Sequence, residues 1–167
     1  ARGMKNAGLS HLTLVGCTDH HSKTAMKFGA PAKEIMEAAV VRKTLREALK
    51  DCSYAVGFTP RVGKMRLPLE SFLHLVPGKL ANAKTGRVAL LFGNEHRGLS
   101  KGALAKMDGS FSIPQVGMAE SLNISVACGV TYSPTSASRV PMTPSIGALS
   151  VVLAISLRAS SASFCAV

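Results

Sequence analysis

Apolar residues in this chain fall into short runs divided by polar, glycine- or proline-bearing stretches, and the spacing inside each run sorts it into strand or helix. His11 to Val15 alternates as a half-buried strand does, Tyr54 to Phe58 and Ser110 to Ile113 read as two more, and Arg87 to Phe92 is nearly continuous, as in a strand covered on both faces. Between them lie helical patterns. Met4 to Leu9 reads as a helix end, with Asn6 and Gly8 offering a left-handed stop. Ser22 is placed to cap a helix over Lys23 to Phe28 that Gly29 closes, and Ser100 to cap another over Lys101 to Met107. Glu34 to Lys50 carries Ile35, Ala38, Ala39, Val41, Leu45, Ala48 and Leu49 mostly at helical spacing, with the Val40-Val41 pair as the point where it would divide. Leu67 to Leu75 is a weaker helical pattern, and Ser121 to Val130 is apolar enough to pack as a helix. Strands alternating with helices predict an α/β fold with a mostly parallel sheet flanked by helices.

The pattern changes beyond Tyr132. A serine- and proline-rich stretch leads to an apolar piece, Ile146 to Leu157, that reads as one further helix. The expected division is a folded domain over 1–132 and an atypical tail over 133–167. At 167 residues the chain is of the size of one domain, roughly 100 to 200 residues, and the apolar piece falls short of the ~18 residues of a membrane span.

Charge narrows the partner. Lys and Arg outnumber Asp and Glu by 20 to 9, and every acidic residue precedes Ser133 while only Arg139 and Arg158 follow it. Such an excess suits a polyanion, nucleic acid above all, whose phosphates it would neutralise, although a merely basic soluble protein has the same composition. Cys17, Cys52, Cys128 and Cys165 form neither a CxxC pair nor a disulfide framework, which points to reduced thiols in a cytoplasmic or organellar-matrix setting. His20 and His21 are adjacent and diverge as metal ligands, so no metal site is expected.

Two segments carry the candidate chemistry: Ala89-Leu-Leu-Phe-Gly-Asn-Glu-His-Arg-Gly-Leu-Ser100 and Ile113-Pro-Gln-Val-Gly-Met-Ala-Glu-Ser-Leu-Asn-Ile-Ser-Val-Ala127. Each runs from a buried strand into a glycine-bearing turn and on toward a helix, the layout of a ligand site at the strand ends of an α/β sheet. Gly93 and Gly98 have the spacing of a phosphate-binding loop, but Leu99 stands where that loop needs lysine, and no GxGxxG fingerprint is present. A nucleotide triphosphatase and a nicotinamide enzyme are therefore disfavoured.

In order and spacing the two segments resemble the second and third signature motifs of the SpoU branch of the SPOUT RNA methyltransferases. Arg2-Gly-Met-Lys-Asn-Ala-Gly-Leu9 is similar to the latter half of that family's first motif, and Gly57-Phe-Thr-Pro-Arg61 to a cofactor-side loop in the branch acting on transfer RNA. The resemblance covers about residues 1 to 131. It implies an α/β domain with a trefoil knot, a homodimer, and transfer of a methyl group from S-adenosylmethionine to a ribose 2′-hydroxyl of tRNA or rRNA.

Carried onto these positions, it implies Arg2, Glu95, Ser121 and Asn123 as catalytic residues. Phe58, Thr59, Leu91, Gly93, Ile113, Met118 and Leu122 would line the cofactor cleft, with Arg61, Lys64, Arg66 and Arg97 along the RNA. A guanidinium stays protonated in proteins, so Arg2 is expected to hold the phosphate beside the target ribose and stabilise developing alkoxide charge rather than act as a base. Asn123 is also a natural helix cap. Two departures stand out: the family's strand and Asn-x-Gly turn before the arginine are missing, and the helix after Ser121-Leu-Asn123 loses its pattern near Ser133. An RNA-binding or dimerising relative that has lost turnover is the alternative these departures support.

Overall fold

Val88, Ala89, Leu90 and Leu91 are completely buried, so the strand they form must be covered on both faces. In the computed structural model that strand, β5 (Arg87–Gly93), lies inside a seven-stranded sheet, and every pairing in the sheet is parallel. The structure describes residues 1–6, 8–17, 20–60, 67–68, 87–93, 97–113, 122–131 and 149–154. The other strands are β1 (His11–Val15), β2 (Val40–Arg42), β3 (Cys52–Phe58), β4 (Leu67–Pro68), β6 (Gly109–Ser112) and β7 (Leu149–Ala154), in the order β2-β1-β7-β5-β3-β6-β4.

Strand periodicity divides the core into two layers. Val88, Leu90 and Phe92 point to one face, where they meet Leu12, Leu14, Val56, Phe58 and Phe111. That face is closed by helices α1 (Arg2–Asn6), α3 (Lys33–Glu37) and α6 (Ile124–Thr131) through Met4, Ile35, Ile124 and Cys128. Ala89 and Leu91 point the other way, to Val15, Ala55 and Leu99, and are covered by helices α4 (Leu45–Ala48) and α5 (Lys101–Leu104). Helix α2 (Lys23–Phe28) and a 3-10 turn (Ala30–Ala32) lead into α3. None of the helices described is long and apolar enough to cross a membrane.

The expected capping is present. Ser22 Oγ accepts from Ala25 N at 3.2 Å and Ser100 Oγ from Ala103 N at 3.1 Å, each satisfying a donor that a helix start would otherwise leave open. Past α1, Gly8 adopts φ 71° while Leu9 N donates to Met4 O and Gly8 N to Lys5 O. This is a Schellman stop, and Leu9 at its end is buried in the same cluster as Met4.

Three expectations are corrected. Glu34 to Lys50 is not one helix: α3 stops at Glu37, and Val40–Arg42 becomes an edge strand with Thr13 opposite Val40. The β-branched valine pair favours that extended backbone, and pairing with β1 outweighs the local helical spacing. Leu67–Pro68, read as the start of a helix, pairs with Phe111 and Ser112 of β6, and the rest of that pattern lies outside the described residues. The tail does not supply a helix at Leu149–Ala154. It supplies β7, inserted between β1 and β5.

Candidate functional site

The C-terminal ends of β5, β3 and β6 lie side by side, with Phe92 and Phe111 both in register with Phe58, and Thr59 N extends the ladder to Phe111 O at 3.1 Å. The three phenylalanines turn into the core. Phe58 stacks on Phe92 with centroids 4.9 Å apart and planes 11° from parallel, and sits 6.3 Å from Phe111. The phenylalanine side chains at these ends are thus committed to the core.

Gly93 ends β5 under unusual constraint. A Cβ added there would stand 2.5 Å from the Gly98 carbonyl oxygen and nearer still to the Gly98 carbonyl carbon and the Leu99 nitrogen. The chain leaving β5 therefore folds back directly onto it, turning through Gly98 at φ 61°, a region open to glycine at little cost. Leu99, 2% exposed, then drives its side chain onto Gly57 of β3, where a Cβ would lie 3.0 Å from Leu99 Cδ1 and 3.2 Å from both Leu104 Cδ2 and Met107 Cγ. The residue that argued against a phosphate loop is the apolar pin of this turn.

Below it, Asp108 clamps β6 to β3. Its carboxylate accepts from Ala55 N at 2.7 Å while its own amide donates to Ala55 O at 2.8 Å. Burial, then the Asp108 charge, raises the Tyr54 phenol above its ordinary value.

Helices α1 and α6 close the face of the sheet on which these phenylalanines lie. Helix α1 packs against α6, and a Cβ at Gly3 would lie 3.2 Å from the Ser125 carbonyl oxygen. Arg2, exposed, opens α1, and Asn123, also exposed, caps α6 by accepting from Ser125 N at 2.9 Å. Ile124, the next residue, shares the core cluster with Phe58, Phe92 and Phe111, and half-buried Ile113 packs against that cluster. Burial pushes the Cys128 thiol on α6 up to about 11, so it carries no thiolate nucleophile at neutral pH.

Of the residues implied from sequence, the structure places Arg2 and Asn123 at the starts of the packed helices α1 and α6, and Phe58, Thr59, Leu91, Gly93 and Ile113 at one set of strand ends. Leu91 and Phe58 are 0% and 5% exposed, with side chains inside the two core clusters. Leu122 is half-buried and immediately precedes the cap, and Arg97 is exposed in the turn after β5. Glu95, Ser121, Met118, Arg61, Lys64 and Arg66 lie outside the described residues. Among the described residues no group of three or more His, Cys, Asp or Glu side chains is arranged to hold a metal. Sequence reasoning passed over Asp108 and Ser125. The signal for Ser125, a hydroxyl two positions after an asparagine cap, was legible, whereas the Asp108 partner lies 53 positions away.

A backbone turn too tight for any side chain, with half-buried Ile113 leaving β6 at the same end of the sheet, offers the main-chain and apolar groups that an adenosine-sized ligand requires. Comparison with known proteins bears on the same region. The model of the SpoU rRNA Methylase family matches residues 1–133. A tRNA (cytidine/uridine/adenosine-2′-O-)-methyltransferase TrmJ from Pseudomonas aeruginosa (strain UCBPP-PA14) is 36% identical over 134 residues, covering 79% of this chain and 52% of that one. The crystal structure of a probable methyltransferase from Bordetella pertussis Tohama I superposes with a TM-score of 0.72 at 26% identity, covering 81% of this chain and 83% of that one. TrmJ from Z. mobilis ZM4 superposes with a TM-score of 0.67 at 27% identity, covering 81% and 60%. The chain spans about half the length of the curated relatives it matches.

Proposed function

The chain belongs to the SpoU rRNA methylase family, and from that membership we propose that it is an S-adenosylmethionine-dependent RNA methyltransferase acting on a ribose 2′-hydroxyl, with tRNA as the favoured substrate and rRNA the other. The observation that supports this reading is the backbone turn at the end of β5, where Gly98 and Leu99 close onto Gly93 within the residues that the family model matches. The named relatives are tRNA 2′-O-methyltransferases, and the excess of Lys and Arg suits such a substrate. A cytoplasmic setting and the family's trefoil-knotted crossing belong to the same reading.

When bound, the cofactor supplies a methyl group already activated by a positively charged sulfur. The protein's task is to align that group with the hydroxyl and to assist loss of its proton. Gly93, Ile113, Met118 and Leu122 would hold the cofactor, with Phe58, Thr59 and Leu91 fixing the strand ends beneath it. Arg2 would bind the phosphate next to the target ribose through its paired N–H groups, and Glu95 and Ser121 would orient the polar wall. Arg61, Lys64, Arg66 and Arg97 would follow the RNA backbone.

The test is transfer of labelled methyl to unmodified tRNA and rRNA, with the product site identified by its resistance to alkaline hydrolysis. Cofactor binding without transfer would instead favour a relative that has lost turnover. Arg2→Ala is expected to lower kcat/KM by about 100-fold or more, on the scale of a lost charge-stabilising donor. Arg2→Lys should recover only a small part, because an ammonium keeps the charge without the bidentate fork. Full turnover by Arg2→Lys would remove the bidentate role.

We also infer a homodimer through α6. Val126 and Val130 lie one turn apart and are 48% and 37% exposed, on the side away from buried Ile124 and Cys128. Val126→Glu with Val130→Glu should give a monomer in sedimentation velocity, and an unchanged dimer would exclude this face.

A further inference from the structure

We propose that the corner between β2 and α4, which carries Arg42, Lys43 and Arg46, is a phosphate-contact surface that holds the substrate RNA strand to one side of the cofactor turn. The inference rests on the proposed RNA methyltransferase function for its ligand, and the corner lies apart from every residue that the motifs singled out. Sheet register places it. Arg42 is level with Val15, Val15 with Ala154, and Ala154 with Gly93, so one row of the sheet joins Arg42 to the turn where Gly98 and Leu99 close onto Gly93. Residues in register on parallel strands point to the same face, and Val15 belongs to the layer that Leu99 completes. Arg42 therefore stands on the side of the sheet where the turn sits, three strands away, or about 14 Å at roughly 4.8 Å for each step between strands.

The backbone at this corner is held on both sides. Gly16 N donates to Arg42 O at 3.0 Å and ties the end of β1 to the edge strand. Thr44 Oγ1 accepts from Glu47 N at 3.3 Å and Glu47 Oε2 from Lys43 N at 3.3 Å, a reciprocal pair of bonds that fixes the entry to α4. Leu45 and Ala48 press α4 onto the layer of Val15 and Leu99. Arg42, Lys43 and Arg46 are left exposed.

Their charges are not balanced. On the opposite face of the sheet Lys5 pairs with Glu34 at 2.6 Å and Lys33 with Glu37 at 3.4 Å. Among the described residues Arg42, Lys43 and Arg46 pair with no carboxylate, and Glu47, the nearest in sequence, is engaged by the Lys43 main chain. Like charges gathered at one place repel one another, and a polyanion relieves that repulsion while it releases its own counterions. Phosphate contacts of this kind position a strand without reading its bases. An RNA whose target ribose meets the cofactor at the Gly93 turn would reach the corner with the nucleotides that flank the target.

The experiment compares two double variants, Arg42→Gln with Lys43→Gln and Lys50→Gln with Lys106→Gln. The second removes the same charge from the other end of the same face, since exposed Lys50 and Lys106 precede β3 and β6 at the N-terminal ends of the strands. Binding of unmodified tRNA is followed by fluorescence anisotropy from about 50 to about 200 mM salt, the range over which phosphate contacts declare themselves. Methyl-transfer kinetics are measured on the same preparations. The corner variant is expected to bind tRNA about 10-fold more weakly, with the slope of log K against log salt reduced by about 1.5 to 2. Its loss in transfer should appear in KM and not in kcat, with S-adenosylmethionine affinity and thermal midpoint at wild-type values. The control variant should change tRNA affinity by no more than about twofold, because its charges lie beyond the screening length of about 8 Å from the corner.

Equal losses in the two double variants, an unchanged salt slope in the corner variant, or a wild-type protein that binds no tRNA would each overturn the assignment. Binding of poly-glutamate in place of tRNA, with the same dependence on Arg42 and Lys43, would give the corner to an acidic protein partner and overturn it as well. A salt slope that falls only in the corner variant, in a protein that transfers no methyl, would uphold the surface and overturn the proposed activity instead.

Discussion

Gly93→Ala will bind S-adenosylmethionine at least 10-fold more weakly and lose about 100-fold or more in methyl transfer, the scale on which an ångström-sized displacement acts. The methyl group added at Gly93 would overlap the main chain of Gly98 and Leu99, and main chain has no rotamer into which it can retreat. Strand β5 cannot yield, since Val88 through Leu91 are fully buried between the two core layers. The turn must move instead. Doing so drags Leu99 from its seat on Gly57 and disturbs the left-handed conformation at Gly98. Overpacking of this kind also costs about 1–3 kcal/mol of stability. Gly102→Ala in α5 is the matched control. Nothing lies within 4 Å of a Cβ there, so the added methyl should leave binding unchanged and raise stability by up to about 1 kcal/mol. Calorimetric titration of both variants decides between these outcomes, and wild-type affinity in Gly93→Ala would show that the turn takes no part in the cofactor site.

What the sequence disclosed was local. Ser22, Ser100 and Asn123 declared their helices because a cap is a contact over two or three residues, and Arg87–Gly93 declared a strand covered on both faces because its apolar run is unbroken. The misreadings were all decided by distant partners. Val40–Arg42 sits within apolar spacing that fits a helix, and only β1 makes it a strand. A short, mostly apolar run such as Leu149–Ala154 reads alike as a buried helix and a buried strand, so periodicity cannot separate them. The candidate site divides in the same way. The motifs pointed to Gly93, Arg2 and Asn123, but that α1 would lean on α6, the helix that Asn123 caps, depends on Gly3 fitting against Ser125. Phe58 was assigned to the cofactor from its place in a motif, whereas strand alternation with Val56 sends its ring into the core.

The largest effect on the fold is expected from β7. Truncation after residue 148 should yield a chain with no cooperative thermal transition and no cofactor binding. Strand β7 joins the two halves of the sheet, running from Ser150 opposite His11 to Ala154 opposite Val15 on one side, and from Leu149 opposite Val88 to Ala154 opposite Gly93 on the other. Without it, β2-β1 and β5-β3-β6-β4 face each other across a gap lined by unpaired backbone groups. At about 1 kcal/mol for each ladder bond, and more for each buried group left unsatisfied, the loss matches or exceeds the roughly 5–15 kcal/mol by which a domain is stable. A single substitution tests the same pairing more gently. Proline at Val152, which is paired on one side with Thr13 and on the other with Leu91, removes a backbone donor in the middle of a central strand and should cost about 3 kcal/mol or more. The truncated chain melting at the wild-type temperature would mean that the other six strands close without β7. Wild-type stability in Val152→Pro would mean that the pairing of β7 with β1 and β5 contributes nothing to the fold, and it would leave the serine- and proline-rich stretch before β7 with no strand to deliver to the sheet.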